Sequence, residues 1–519
     1  MTPAATSRAR SRAARALASA LFLLALAAGS TPPRAGGGGG PREFAYPAPR
    51  YPKIPEVNRV EQLLPFVRHI VERPMPYSGD QRPGLGIKGG EKILFVTDSD
   101  LDPLVLEAFL RVLRDEKKCR VDVFQEQGRR RLFRTEEVMR YLVDSPPSPR
   151  MLGGPEWTQA LARREGYDKV VGQIFWEETN CRVPTFSYSM DWPTREQLAS
   201  PAVTYPEEII EAIDRAAWKV LRETREVHLT DPEGTDLRFT WLDEYWRIMD
   251  GSFPGYPIPP TEGFGTHRYR PGATKDPLIS GHLAGYPLGV VLPKSDVTGV
   301  IAGTSDHLGP YPHLRIRMER NKVTRLEGGG EFGDKWREFI EKNKAVKYPH
   351  YPGPGVDWFI EAAIGTHPKV IRPFNVFESA TARASFMSER DRSGVMHLGI
   401  GQLLDFAWAL RHDPPLPFYH FHVHLYFPTY TCKLRDGREV KLIDRGRLTA
   451  LDDPEVRRVA AKYGDPDELL REDWVPALSG VNTQGDYLKD YAADPESYMR
   501  LEHRRAYGEA IERSRAFYK

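Results

Sequence analysis

Three histidines at alternating positions near the C-terminus form the clearest chemical pattern in this chain. Residues 418–427 read FYHFHVHLYF, so three of the fourteen histidines stand at His420, His422 and His424. Side chains at i and i+2 of a β-strand share a face, so the three imidazoles are expected on one face and the apolar residues between them on the other. Imidazole is a ligand for Zn, Fe, Ni and Cu. The spacing therefore predicts a metal site.

Further histidines stand in segments rich in glycine. Residues 389–397 read ERDRSGVMH and end on His397, which we add to the predicted ligands. His282 and His307 also stand among glycines, where a loop can approach a ligand closely. Both are candidates for substrate or metal binding, and His282 is assigned to the substrate. The alternative for each is an ordinary turn, since glycine is common in turns.

The first half of the chain alternates strand and helix patterns, which favours a parallel α/β domain over residues 55–229. Asp100 or Asp102 is expected to cap the second predicted helix, since Asp is a preferred N-cap residue. The predicted strands cover 92–96, 120–124 and 168–175, and the predicted helices cover 60–72, 102–113 and 206–222.

The composition of the chain changes near residue 230, where prolines, glycines and aromatic residues become frequent and short β-type runs appear. Residues 230–450 are predicted to form a mixed, β-rich metal-binding domain, and residues 451–519 a helical C-terminal extension. Asp436-Gly437 stands between two β-type runs, which is a hairpin signal. The fold class is therefore α/β, with an N-terminal parallel domain and a β-rich C-terminal domain.

The start of the chain resembles an export signal. Arginines at positions 8–15 precede an apolar run at 16–28 that is too short to span a bilayer, and residues 25–27 give an A-x-A cleavage pattern. Residues 1–28 are predicted to be a signal peptide, so the location is periplasmic or secreted, or cytoplasmic if the leader is not used. Residues 29–54 are predicted to be a disordered linker. No later stretch is long and apolar enough to predict a membrane span.

Composition excludes some classes of function. The net charge of +2 and the absence of basic runs with interleaved aromatic residues give no support for nucleic-acid binding. The three cysteines are too few and too scattered for a zinc knuckle or a disulfide framework.

Five segments, in the same order along residues 55–445, resemble the metallo-aminopeptidase family of aminopeptidase T and aminopeptidase S. The segments are 86–96, 227–239 (containing TDPEGTDL), 361–368 (EAAIGTHP), 389–399 (ERDRSGVMHLG) and 421–424 (FHVH). The resemblance implies a small-molecule or peptide substrate and a homodimer.

The family holds two divalent ions with two Glu, two His, one Tyr and one Asp. By motif, Glu361, His397 and His422 match three of these ligands. The family Asp position is His424, and the family Tyr position is Leu404.

The first family Glu falls in residues 280–287, which contain no carboxylate, although His282 lies there. A two-metal site uses bridging carboxylates to hold its cations. The departures therefore favour a single ion held by His397, His422 and His424, with Glu361 as fourth ligand or general base. The alternative for Glu361 is a structural ion pair with Arg372, Arg383 or Lys369.

Two enzyme classes and one non-enzyme remain open. The first is a hydrolase of the aminopeptidase type, in which Zn, Co or Mn activates water and Glu361 acts as the base. The second follows from resemblance to 2,5-dihydroxypyridine dioxygenase, a member of the same superfamily. In this reading the chain is a ring-cleaving Fe(II) enzyme whose ring substrate packs against Tyr419, Tyr426, Trp408 or Phe406. Tyr426 and His420 are the substrate contacts that we assign beside His282. The third is an inactive binding protein.

Overall fold

The elements of the fold are taken from a computed structural model. It describes residues 45–73, 85–98, 101–126, 164–173, 186–188, 194–243, 282–285, 296–348, 351–378, 385–401, 416–417 and 420–515. The helices are α1 (Leu64–Glu72), α2 (Pro103–Leu110), α3 (Arg195–Leu198), α4 (Glu207–Glu223), α5 (Gly330–Asn343), α6 (Pro454–Ala460), α7 (Pro466–Leu469) and α8 (Pro495–Arg515). The strands are β1 (Lys92–Asp98), β2 (Arg120–Glu126), β3 (Lys169–Gln173), β4 (Phe186–Tyr188), β5 (Thr224–Thr230), β6 (Asp236–Thr240), β7 (His282–Gly285), β8 (Thr298–Asp306), β9 (Gly309–Glu319), β10 (Lys322–Gly328), β11 (Phe359–Gly365), β12 (Met396–Gly401), β13 (His420–Leu425), β14 (Thr429–Leu434), β15 (Glu439–Asp444) and β16 (Arg447–Leu448).

The first sheet is parallel and has the strand order β2-β1-β3-β4. Its central strand β1 is apolar over most of its length because a parallel sheet is covered on both faces. Ile93 and Phe95 on one face and Leu94 and Val96 on the other are all buried. The predicted parallel α/β part is confirmed.

Helix α2, which follows β1, starts where the sequence predicts. The backbone N–H of Leu104 donates to Oδ1 of Asp102 at 2.9 Å, and Pro103 occupies the first helical position. Asp102 also accepts a two-pronged ion pair from the buried Arg195, with Nε–Oδ2 at 2.6 Å. One carboxylate thus caps a helix and binds a more distant segment.

The C-terminal part is β-rich, as predicted, and its two sheets are antiparallel. The larger has the order β10-β9-β8-β6-β5-β14-β15-β16, and the smaller β13-β12-β11-β7. The Asp436-Gly437 turn joins β14 to β15, which confirms the hairpin. A single apolar core contains inward residues of both sheets, including Ile316 and Val423. Helix α4 contributes Ile213 to the same core rather than to the core beside the parallel sheet.

Residues 45–54, the end of the predicted linker, pack against the C-terminal part of the chain. Arg50 and Val475 exchange backbone hydrogen bonds at 3.0 and 2.9 Å. The tilted ring pair of Tyr46 and Phe427 adds to this contact. This differs from a disordered linker, because the aromatic residues between its prolines have apolar partners. In the part of the chain that is described, no helix is long and apolar enough to cross a membrane.

Several sequence predictions fall outside the described residues. They include the signal peptide, the beginning of the linker and Leu404. The side chains of His282 and His420 are also outside the description, although their backbones lie in β7 and β13.

Candidate metal centre

Strand register in the smaller sheet brings Glu361 and His422 together. In β11–β12–β13, Glu361 is paired with Gly399, and Gly399 is paired with His422. Directly paired residues project from the same face of a sheet. Because Gly399 has no side chain, the carboxylate and the imidazole meet above it, with Glu361 Oε2 and His422 Nε2 at 3.1 Å.

The next row of the same face supplies two more histidines. Ala363 of β11 is paired with His397 of β12, which in turn is paired with His424 of β13. His397 Nε2 lies 3.3 Å from Glu361 Oε1. The predicted alternation in β13 is confirmed where side chains are described: His422 and His424 share this face, and Phe421 and Val423 lie in the apolar core.

A fourth histidine arrives from the other sheet. His307 and Leu308 form the two-residue tip of the β8–β9 hairpin. A Cβ atom at Gly303 would come within 3.1 Å of the His424 carbonyl oxygen, so the glycine allows β8 to approach β13 closely. The His307 ring stacks on His422 with centroids 3.7 Å apart. One ligand nitrogen from each of His307, His397 and His422 lies within 4.8 Å of the others.

The donor set fits a divalent cation. With metal–ligand bonds of about 2.0–2.2 Å, adjacent ligand atoms around one small ion are about 3.0–3.4 Å apart. Glu361 lies 3.1 Å from His422 Nε2 and 3.3 Å from His397 Nε2, within this range. All three side chains are buried. Imidazole with carboxylate suits Fe(II) or Zn(II).

A chain of hydrogen bonds runs from the cluster into the protein. Arg390 Nη1 lies 2.7 Å from His307 Nε2, and His307 Nδ1 lies 2.7 Å from His424 Nε2. His424 Nδ1 is 2.6 Å from Glu389 Oε1. A guanidinium only donates, so His307 Nε2 must accept, which places the His307 proton on Nδ1. His424 then accepts at Nε2 and donates from Nδ1 to Glu389.

The hydrogen bonds of His424 compete with its predicted role as a metal ligand. A ligand needs a nitrogen lone pair, and the His424 lone pair on Nε2 already accepts the His307 proton. The role of His424 as a metal ligand therefore stays a prediction.

Glu389 is the buried acceptor at the end of this chain of hydrogen bonds. Its Oε2 accepts from Arg372 Nε at 2.6 Å, and its Oε1 accepts from the Tyr426 hydroxyl at 2.8 Å. Tyr426 in turn accepts from Arg372 Nη2 at 2.8 Å and from the Ser305 hydroxyl at 2.5 Å. The Tyr426 hydroxyl thus donates and accepts hydrogen bonds within the protein. Its role as a substrate contact stays a prediction.

Burial lowers the pKa of three histidines of the cluster. Burial lowers the pKa of His397 to about 4, although Glu361 opposes the shift. Burial, with Arg390 contributing, also lowers the pKa of His307 and of His424. Burial raises the pKa of Glu389, but Arg372 and His424 outweigh it and the net pKa is lowered. Neutral imidazoles and ionised carboxylates are the forms that bind metals.

Sequence reasoning found part of this centre and missed the rest. It placed Glu361, His397 and His422 together but gave no role to Glu389 or Arg390. The strongest available signal was the charged run at 389–392, which is buried in the fold. The proposed structural partners of Glu361 have other carboxylates: Arg372 pairs with Glu389, and Lys369 Nζ with Asp473 at 2.8 Å. Arg383 lies outside the described residues.

The fold and site define an α/β protein with a buried cluster of histidines and a carboxylate. No family model matches the chain, and no curated protein matches it. Among solved structures, it is similar to 2,5-dihydroxypyridine dioxygenase from Pseudomonas putida KT2440, with a TM-score of 0.43 and 14% identity over 76% of this chain and 98% of that one. This likeness is too distant to transfer a function. Membership of the aminopeptidase family stays a prediction.

Proposed function

We propose that the chain is a metalloenzyme with one ion per site, a non-haem Fe(II) oxygenase acting on a hydroxylated aromatic ring. The observation that carries the proposal is the Glu361 carboxylate between His397 and His422, at 3.3 and 3.1 Å. Two histidines and one carboxylate are the ligand set of many Fe(II) oxygenases. The ring substrate rests on the sequence resemblance.

Charge favours a single ion. A pair of ions needs bridging carboxylates. Glu361 and Glu389 are within hydrogen-bond distance of the clustered histidines, and of these two Glu389 is neutralised by Arg372 at 2.6 Å and hydrogen-bonded to Tyr426 and His424. Glu361 alone is directed at the ligand histidines, so only one cation is well balanced.

The hydrogen bonds that Glu389 already accepts also favour oxygen chemistry over hydrolysis. Hydrolysis at a metal needs a general base in addition to the ligands. If Glu361 binds the ion, Glu389 is the other carboxylate that is hydrogen-bonded to a histidine of the cluster, and its oxygens are already occupied. Bound Fe(II) supplies the one-electron chemistry with O₂. The protein side chains then hold the ion, exclude water and orient the substrate.

A hydrolase remains the second candidate because of the three histidines. His307, His397 and His422 offer nitrogens within 4.8 Å of one another. Three histidines are the ligands of some catalytic zinc sites. In that arrangement Glu361 would be released to act as the base, which is the aminopeptidase-type mechanism predicted from the sequence.

The test is metal content and oxygen uptake of protein purified without oxygen. We expect one iron per chain and oxygen uptake with hydroxylated aromatic rings. His397→Ala, His422→Ala and Glu361→Gln should each lose the metal. His228→Ala is the control, since His228 lies at the surface on β5 and pairs with Asp236. Two zinc ions per chain, with cleavage of aminoacyl anilides in the absence of oxygen, would replace the oxygenase by the hydrolase.

A further inference from the structure

We infer that Trp474, in the C-terminal extension (residues 451–519), is a positioning residue for the metal centre. It fixes the guanidinium of Arg372, which holds Glu389, and Glu389 sets the direction of the His424 ring. The inference rests on the proposed function, because it takes the cluster of buried histidines as a metal centre. It gives the C-terminal extension a task in that centre.

Glu389 sets the direction of the His424 ring, whichever task His424 has. His424 Nδ1 lies 2.6 Å from Glu389 Oε1. A histidine that binds a metal commonly donates its other ring N–H to a carboxylate, and loss of that partner costs about 10- to 100-fold in metal affinity or activity. If His424 keeps its hydrogen bond to His307, it acts on the centre through the His307 ring, which stacks on His422 at 3.7 Å. A shift of Glu389 therefore reaches a predicted metal ligand in either case.

Arg372 holds Glu389 in place. Its Nε donates to Glu389 Oε2 at 2.6 Å, and its Nη2 donates to the Tyr426 hydroxyl at 2.8 Å. The Tyr426 hydroxyl donates in turn to Glu389 Oε1 at 2.8 Å, so the three groups form a closed ring of hydrogen bonds. All three side chains are buried, and an ionic contact between buried groups is stronger than one in water. A shift of the guanidinium would therefore move the carboxylate with it.

The guanidinium of Arg372 also lies against aromatic rings. Its central carbon is 4.9 Å from the ring centroid of Trp474 and 4.9 Å from that of Phe386. A cation within about 6 Å of a ring face is attracted to it, and tryptophan gives the strongest such contact. The Trp474 ring also makes a T-shaped contact with Tyr426, with centroids 6.4 Å apart. Without the indole, the guanidinium could turn away from Glu389.

Trp474 contributes its ring face rather than its N–H. The side chain is fully buried, and among the described residues no acceptor lies within hydrogen-bond distance of Nε1. A buried donor without a partner costs free energy, and phenylalanine at this position would bury no polar atom. The indole face, however, lies near a second guanidinium, that of Arg392 at 5.8 Å. Contact with two cations offsets the cost of the unpaired N–H.

The backbone on both sides of Trp474 is anchored to distant parts of the chain. The Asp473 carboxylate accepts from Lys369 Nζ at 2.8 Å. Val475 exchanges backbone hydrogen bonds with Arg50 at 3.0 and 2.9 Å. These contacts fix the place from which the indole reaches the guanidinium.

The test uses Co(II)-loaded protein, since the visible absorption bands of Co(II) report the arrangement of its ligands without turnover. Trp474→Leu keeps an apolar side chain but removes the ring face. We expect it to shift the Co(II) bands and to weaken Co(II) by about 10-fold, the lower end of the range for lost partners of ligand histidines. Trp474→Phe keeps a ring face and should recover most of the wild-type spectrum and affinity. Trp218→Leu is the matched control, because Trp218 is also buried but lies on α4 in the core of the antiparallel sheets.

Arg372→Lys tests the same route and carries the test where Trp474→Leu does not fold. Lysine keeps the charge but loses the planar fork that joins Glu389 to Tyr426, so the Co(II) bands should shift as well. The inference is overturned if Arg372→Lys or Trp474→Leu keeps the wild-type spectrum and affinity, or if Trp474→Leu changes them no more than Trp218→Leu does. A Trp474→Phe variant as impaired as Trp474→Leu also overturns it. Wild-type protein that binds no Co(II) would instead remove the proposed function.

Discussion

Glu361 and His422 lie on strands that are not neighbours, yet Oε2 and Nε2 are 3.1 Å apart. Strand β12 runs between them, and the residue of β12 in that row is Gly399. Adjacent strands are about 4.8 Å apart, so the two side chains must reach over a full strand. Any side chain at position 399 would stand between the carboxylate and the imidazole.

Gly399→Val is therefore expected to abolish metal binding without unfolding the protein. The β-branched side chain suits a strand but fills the space that Glu361 and His422 share. Gly399→Ala should weaken the metal less, because a methyl group fills less of that space. Metal content by elemental analysis, with circular dichroism to confirm folding, gives the measurement. Full metal content in the Val variant would mean that Glu361 and His422 do not bind one ion.

The buried ion pair of Arg372 and Glu389 gives a stability prediction. Both side chains are buried, and Nε and Oε2 are 2.6 Å apart. Removing one partner of a buried pair leaves an uncompensated charge and costs about 3–5 kcal/mol. Glu389→Gln should therefore lower the midpoint of urea unfolding strongly. Glu116→Gln is the control, because Glu116 pairs with Arg68 at the surface at 2.7 Å. Equal midpoints for the two variants would show that the buried pair adds no more than a surface pair.

Local patterns in the sequence were sufficient for much of the fold. Strand β1 is apolar over consecutive residues, as burial on both faces requires. Asp102 caps a helix through its own neighbour Leu104, and Asp436-Gly437 turns between adjacent strands. Each of these depends on residues close together in the chain. The order of eight strands in the larger sheet does not, because β5 pairs with the distant β14, and no local pattern records that.

In the metal site, too, local sequence patterns predict some features, and contacts between distant residues determine the others. Alternation in β13 placed His422 and His424 on one face, and motif spacing added Glu361 and His397. The partner of His424, by contrast, is His307, which lies 117 residues away at a hairpin tip. No pattern in the sequence indicates that Glu389 and Arg390 are buried, and their burial becomes visible only in the fold, where Arg372 and the histidines surround them. The hydrogen bonds of His424 depend on these distant residues, which a strand pattern cannot contain.

Two buried acids outside the metal site predict how stability depends on pH. Asp231 and Glu233 lie in the turn between β5 and β6, with Thr304 and Tyr487 donating to Glu233 Oε1 at 2.8 and 2.9 Å. Burial and the nearby Asp231 raise the pKa of Glu233 to about 8. Burial raises the pKa of Asp231 to about 7.

The folded protein therefore keeps protons that the unfolded chain releases. The stability that these two acids contribute is fully present below the ordinary carboxyl pKa and falls as pH rises towards about 8, where the folded-state pKa of Glu233 lies. The slope is up to about 1.4 kcal/mol per pH unit for each proton. Glu233→Gln stays uncharged at every pH, so its free energy of unfolding, measured in urea at pH 5, 6, 7 and 8, should fall less steeply than that of wild type. The control is Glu226→Gln at an exposed position on β5, which should follow the wild-type slope. A Glu233→Gln slope equal to that of wild type would mean that Glu233 is already ionised in the folded protein at pH 5.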